Sequence, residues 1–267
     1  MAVSTSLTQF LFSHPSTNSK YKEATQSEFL ALAGQGKLPL PQLSQWLSQD
    51  RLYAEAYLRF IGGVLSRIHL PINPPGDGRT QDTLEWRILR TLQSALDGIV
   101  RELAFFEATA KDYGIDLAAT SLSDTPGDAT FGPNKTTAKY IEIFDSFHGL
   151  SSASLTPAEP PQKSLISALV LLWATEKVYY DAWSYAHSQA PSSVPASSDL
   201  DGGALRKEFI PNWTSNEFVE FVEGIEVCLN DLASKEASKS GREAVETEAL
   251  KVWEEVLDLE VGFWPSV

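Results

Sequence analysis

A carboxylate in the middle of an apolar helix stripe narrows the folds open to a chain, and residues 41–68 carry one. In PQLSQWLSQDRLYAEAYLRFIGGVLSRI the residues Leu43, Trp46, Leu47, Tyr53, Tyr57, Phe60, Val64 and Ile68 recur at helical spacing. They fall on one face of a helix about seven turns long. Asp50 shares that face. A buried charge without a partner costs several kcal/mol, so the fold must give Asp50 either a partner or a task. Two later stripes repeat the pattern. Glu176 interrupts Leu165, Leu169, Leu172, Tyr179 and Trp183, and Glu260 follows Trp253, Val256 and Leu257 just before Phe263 and Trp264. The three acids are expected to meet in one pocket.

The rest of the chain reads as helices too. Ser6–Phe12, Tyr21–Ala33, Thr80–Tyr113, Thr136–Phe147, Lys163–Ala186, a segment from Trp213 to about Ala233, and Gly241–Trp264 each carry apolar residues at helical spacing. Gly34, Gly36 and Gly114 stand where helices should stop. Pro71–Arg79, Leu117–Pro133, Gly149–Pro161 and Ser188–Gly203 hold most of the proline and read as loops. Gly62 and Gly63 sit within the Asp50 helix, where close helix packing would account for them. No alternating strand pattern of useful length occurs, so the expectation is an all-α fold, with residues 1–267 forming one domain.

Charge excludes some partners. The formal net charge is −14 with acids spread throughout, whereas nucleic acid and anionic membranes need a basic footprint. No apolar run of about 18 residues is present to span a bilayer. The first residues, MAVSTSLTQFLFSHPS, lack the positive flank and long apolar region of a secretory signal. The single cysteine, Cys228, permits no internal disulfide. A cytoplasmic protein without nucleic-acid or membrane partners is the expectation.

Each acid admits two readings. Asp50 could be a clasp tied to a Tyr or to Arg51, or a ligand group whose charge Tyr53 and Tyr57 stabilise. Glu176 could pair with a basic residue of another helix. Alternatively, Trp173, Tyr179 and Tyr180, each one turn away, make a flat slot in which burial raises its pKa toward general acid or base work. Glu260 could lie in a frayed end, although Phe263 and Trp264 argue for burial. Glu102 lies near the stripe of the 80–113 helix. A di-iron centre would need Glu-x-x-His pairs, and none of His14, His69, His148 and His187 follows a glutamate at that spacing. A heme role would fall to His14. Cys228 continues the stripe Phe221, Ile225, Leu232 and reads as a small core residue.

Taken in order, four segments resemble the TenA family, the thiaminase II or aminopyrimidine aminohydrolase group with the heme oxygenase-like helical fold. They are LSQWLSQDRLYAEAYLRF, RELAFFEATAKDYGI, LISALVLLWATEKVYYDAW and the terminal EVGFW. Where the better-known branch carries a cysteine on the active-site helix, this chain has Thr175 and Glu176, as in the branch with glutamate in its place. Cys228, on another helix, does not replace it. The resemblance implies a cofactor-independent hydrolase acting on an aminomethyl pyrimidine, or its N-formyl derivative, from thiamin breakdown. The product would be the hydroxymethyl pyrimidine used in thiamin salvage. It also implies Asp50 on the protonated ring, Glu260 on the amino group and proton transfer, and Glu176 activating water or assisting the leaving group. Tyr53, Tyr140, Trp173 and Tyr180 would be ring contacts, with Glu102 beside the substrate and a homo-oligomer, dimer or tetramer, as the assembly. The alternatives are a non-catalytic pyrimidine-binding or regulatory protein and a metal- or heme-dependent oxidoreductase on the same scaffold.

Overall fold

The computed structural model describes residues 5–72, 76, 79–120, 130–147 and 163–267. Among them no strand occurs, and the fold is a multi-helical bundle. Its helices are α1 (Leu7–Ser13), α2 (Asn18–Thr25), α3 (Glu28–Gly34), α4 (Leu40–Leu65), α5 (Leu84–Tyr113), α6 (Lys135–Asp145), α7 (Leu165–Ser188), α8 (Ile210–Trp213), α9 (Asn216–Ser240) and α10 (Arg242–Phe263). Residues 121–129 of the loop expected over Leu117–Pro133, the loop expected over Gly149–Pro161, residues 73–75 and 77–78 of the loop at Pro71–Arg79, and His148 lie outside the described residues.

Local chemistry sets the helix ends, and it divides two segments that periodicity alone runs together. Tyr21–Ala33 is broken at Gln26, because the Ser27 hydroxyl accepts the Leu30 amide and starts α3 afresh. Trp213 closes the short helix α8, and Ser215, accepting the Phe218 amide, caps α9, which continues to Ser240. Before α8 the chain winds as a π-turn over Leu205–Phe209. A 3-10 turn at Thr80–Asp82 precedes α5, and Gly114, at φ 72, ends it. Gly62 is a correction: a Cβ there would meet nothing within 4 Å, so packing does not account for this glycine.

α7 is the central rod. It packs against α3, α9 and α10, while α4 packs against α5 and α6. α4 and α7 face each other across a cavity rather than in close backbone contact. Beneath them Trp46, Trp183, Trp213, Phe263 and Trp264 pack ring on ring, with Trp264 stacked 5.7 Å from Trp46. The Trp264 indole donates to the Ala24 carbonyl at 2.6 Å. The chain end is therefore tied into the core rather than frayed.

Candidate active site

Between α4, α5, α7 and α9 lies a cavity of about 560 Å³. At one end α4 presents Asp50, Tyr53 and Tyr57, α5 presents Glu102, α7 presents Thr175, Glu176 and Tyr179, and α8 presents Trp213. Three acids from three helices thus share one wall. Each is held by an aromatic donor. Tyr179 donates to Asp50 at 3.0 Å and Tyr57 to Glu176 at 2.5 Å. The Trp213 indole donates to Glu102, whose other oxygen accepts from Asn212 at 3.2 Å.

Glu260 stands one layer behind. It is buried, accepts the Tyr140 phenol through one oxygen, and has no partner on the other. Tyr140 is also fully buried, with its ring against Tyr53 at 4.9 Å. Neither residue lines the cavity, so of the three acids expected in one pocket only Asp50 and Glu176 share it, and Glu102 takes the third place. They reach it through Tyr53 and through charge.

Among the described residues no ion pair involves Asp50, Glu102, Glu176 or Glu260. Arg51, the clasp considered for Asp50, pairs with Glu55 instead. The cluster accordingly resists ionisation. Burial pushes Asp50 well above the usual range, and the charges of Glu102, Glu260 and Glu176 push it further against the Tyr179 hydrogen bond. Burial raises Glu176 to about 7, opposed by Tyr57 and aided by Glu102. Burial likewise raises Glu260 to about 7, opposed by Tyr140 and aided by Glu176. Glu102 is raised by burial, with Trp213 and Asn212 opposing. Such a wall can hold a cationic, flat ligand, and near neutrality it offers both carboxylate and carboxylic acid.

Several expected contacts belong elsewhere. Trp173 is fully buried against Phe12 and Trp253, at 5.8 and 5.3 Å, and does not line the cavity. The first ten residues of α7 are almost all buried, so spacing from Glu176 could not single out the face that meets a ligand. Tyr180 also misses the cavity. It lies 6.3 Å from Phe218 with the Lys177 ammonium near its ring, whereas Tyr179 takes the inward position. Tyr140 is a support for Glu260 rather than a ring contact. Trp213, which periodicity makes the start of the helix to about Ala233, instead ends α8 and enters the site; Ser215 three residues before Phe218 marks the true helix start beyond it. Cys228 is buried beside the Thr91 hydroxyl, away from the acids. Among the described residues, no three His, Cys, Asp or Glu side chains are placed to share a metal ion.

No protein-family model matches the sequence. A "Probable transcription factor" of Fusarium pseudograminearum (strain CS3096) is 29% identical over 272 residues, covering 90% of this chain. The chain spans about half, 49%, of that relative's length. A "Probable bifunctional TENA-E protein" of Glycine max is 20% identical over 244 residues, covering 91% of this chain and 86% of that one. Among solved structures, a TenA homologue from Pyrococcus furiosus aligns with a TM-score of 0.67 at 23% identity, over 97% of this chain and 98% of that chain. A putative TenA-like thiaminase from Sulfolobus solfataricus aligns at 0.57 and 17% identity, over 93% and 90%. Nearly end to end, therefore, the chain has the all-α, heme oxygenase-like fold of the TenA proteins.

Proposed function

We propose that the chain is a thiamin-related hydrolase of the glutamate branch of the TenA family, acting on an aminomethyl pyrimidine or its N-formyl derivative. The observation that carries this reading is a buried acid cluster with no ion-pair partner among the described residues. A protonated aminopyrimidine supplies the missing charge, and its flat ring suits walls of Tyr53, Tyr57 and Tyr179. Asp50, steadied by Tyr179, holds the protonated ring. Its raised pKa means that it ionises in answer to the ligand's charge.

In the reaction a water oxygen bonds to the exocyclic methylene carbon as the carbon–nitrogen bond breaks, giving the hydroxymethyl pyrimidine and ammonia. Glu176 as carboxylate takes the water proton, and a neighbouring carboxylic acid protonates the departing nitrogen. With a pKa near 7, a large share of Glu176 is in each form at neutral pH. Glu260, out of direct reach, acts as a negative field and proton store behind Tyr53 and Tyr140. For the N-formyl substrate, water adds first at the formyl carbon, releasing formate and the amine.

The test is incubation with both pyrimidines, following ammonia and formate separately. Glu176→Gln keeps shape and folding and is expected to lower kcat at least 100-fold, the usual worth of a general base. Undiminished release by the folded variant would remove the assignment. A binding-only reading is favoured by the Fusarium relative's name, and it predicts saturable aminopyrimidine binding with no ammonia. The proposal extends to a cytoplasmic setting and a homo-oligomer, checked by fractionation and sedimentation. Among the described residues, no helix is long and apolar enough to cross a membrane.

A further inference from the structure

One substituted pyrimidine does not fill the cavity. Ten heavy atoms occupy roughly 300 Å³ even if each takes a water's share of liquid volume, about 30 Å³. The cavity holds about 560 Å³. Beyond the acids its walls become apolar, with Ile99 and Phe105 from α5 and Phe218 and Phe221 from α9. Farther out stand the exposed residues Ser94, Arg101, Glu217 and Glu220, which mark the mouth.

α5 and α9 run antiparallel along that mouth. Arg87 pairs with Asp231 at 2.7 Å, Thr91 meets Cys228 at 3.5 Å, and Arg101 pairs with Glu217 at 2.7 Å. In this register Gly98 falls opposite Glu220 and Phe221, and Ser94 opposite Gly224 and Ile225. Gly98 lines the cavity, yet no packing or backbone demand calls for glycine there. A Cβ would meet nothing within 4 Å, and the φ is not positive. Glycine inside a helix weakens it relative to alanine. What this glycine supplies is width.

We infer that the way to the acids runs between α5 and α9, that Gly98 sets its width, and that the apolar outer chamber receives an acyl substituent larger than formyl on the substrate's amine. The inference rests on the aminopyrimidine reading above and narrows its substrate class to N-acyl aminomethyl pyrimidines. Water's oxygen goes to the acyl carbon, the amide bond breaks, and the nitrogen takes the proton, giving a carboxylic acid and the aminomethyl pyrimidine. No other reactant is needed.

Wild type, Gly98→Ala and Gly98→Leu are compared on the aminomethyl pyrimidine and its N-formyl, N-acetyl and N-benzoyl derivatives. Binding is read by tryptophan fluorescence, hydrolysis by chromatography, and folding by thermal melting. Wild type is expected to bind the benzoyl compound at least as tightly as the formyl one. Gly98→Leu should weaken the benzoyl compound 10-fold or more while changing the free amine less than 3-fold, with Gly98→Ala in between. Rejection of the benzoyl compound by wild type, or one size ranking shared by all three proteins, overturns the inference. If nothing is hydrolysed but the ranking still shifts in Gly98→Leu, the hydrolase reading falls and the access route stands. If no pyrimidine binds to any of the three, both fall.

Discussion

Tyr57 donates to Glu176 from a phenol that burial and the Glu176 charge hold protonated far above neutrality, so it is a donor at every working pH. Its bond favours the carboxylate and opposes the desolvation that raises Glu176. Tyr57→Phe keeps the ring and removes only that bond. The Glu176 pKa should then rise above about 7, by about one unit if a hydrogen bond to a charged group is worth ~1.5 kcal/mol. If Glu176 is the base, the rising limb of the kcat/KM profile moves to higher pH by that amount. A limb that stays in place would mean that another group controls it. At this scale part of the site is legible in the sequence, because an acid on an apolar stripe has few explanations: of the three acids expected to meet, Asp50 and Glu176 line one cavity, Glu102 joins them there, and Glu260 does not. Helical period gives direction but not depth, which is why Glu260 and Tyr140 read as first contacts and stand one layer back.

The turn formed by the π-segment Leu205–Phe209 and α8 shows what helix-by-helix reading leaves out. Asp201 accepts the Gly203 and Leu205 amides, both at 2.8 Å, and Arg206 is clamped to the buried Asp199. This anchored turn aims Trp213 and Asn212 at Glu102. An 11-residue window averages over such a short, irregular element, whereas the long rods α4, α5 and α7 repeat their pattern often enough to be read. Trp213→Phe retains an aromatic ring in the stack with Phe209, 5.0 Å away, and deletes the indole donor. Because Trp213 is fully buried, with Trp183 4.5 Å away, the smaller ring also leaves a packing gap, so the lost bond and the gap together should cost about 3 kcal/mol, or ~6–12 °C in Tm. The Glu102 pKa should rise, since the lost bond favoured the charged form. Asn212→Ala should change Tm by less, its bond being longer and its side chain exposed. Equal losses from the two variants would place the anchoring in the backbone turn rather than in the indole.

Across the whole molecule, buried acids without cations make stability depend on pH in a direction opposite to that of an ordinary salt-bridged protein. Glu176 and Glu260 titrate near 7 in the folded chain and near 4.5 when unfolded. Between those values the native state holds more protons than the unfolded state, so stability is fully present below about 4.5 and is lost as pH rises through about 7. Each shift is of order 3 kcal/mol at ~1.4 kcal/mol per unit, and the two groups are coupled, so their effects do not simply add. Surface acids such as Glu85, whose bond to Lys235 lowers its pKa, contribute the opposite slope at lower pH. The signature of the cluster is therefore a difference between proteins. Glu176→Gln/Glu260→Gln should match wild type in Tm at pH 5 and exceed it at pH 8, where wild type must bury two charges. A protonated aminopyrimidine should act in the opposite sense, raising the Tm of wild type more than that of the double variant. If both proteins lose stability in parallel from pH 5 to pH 8, the acids are better solvated than their burial implies, and the cluster does not await a cation.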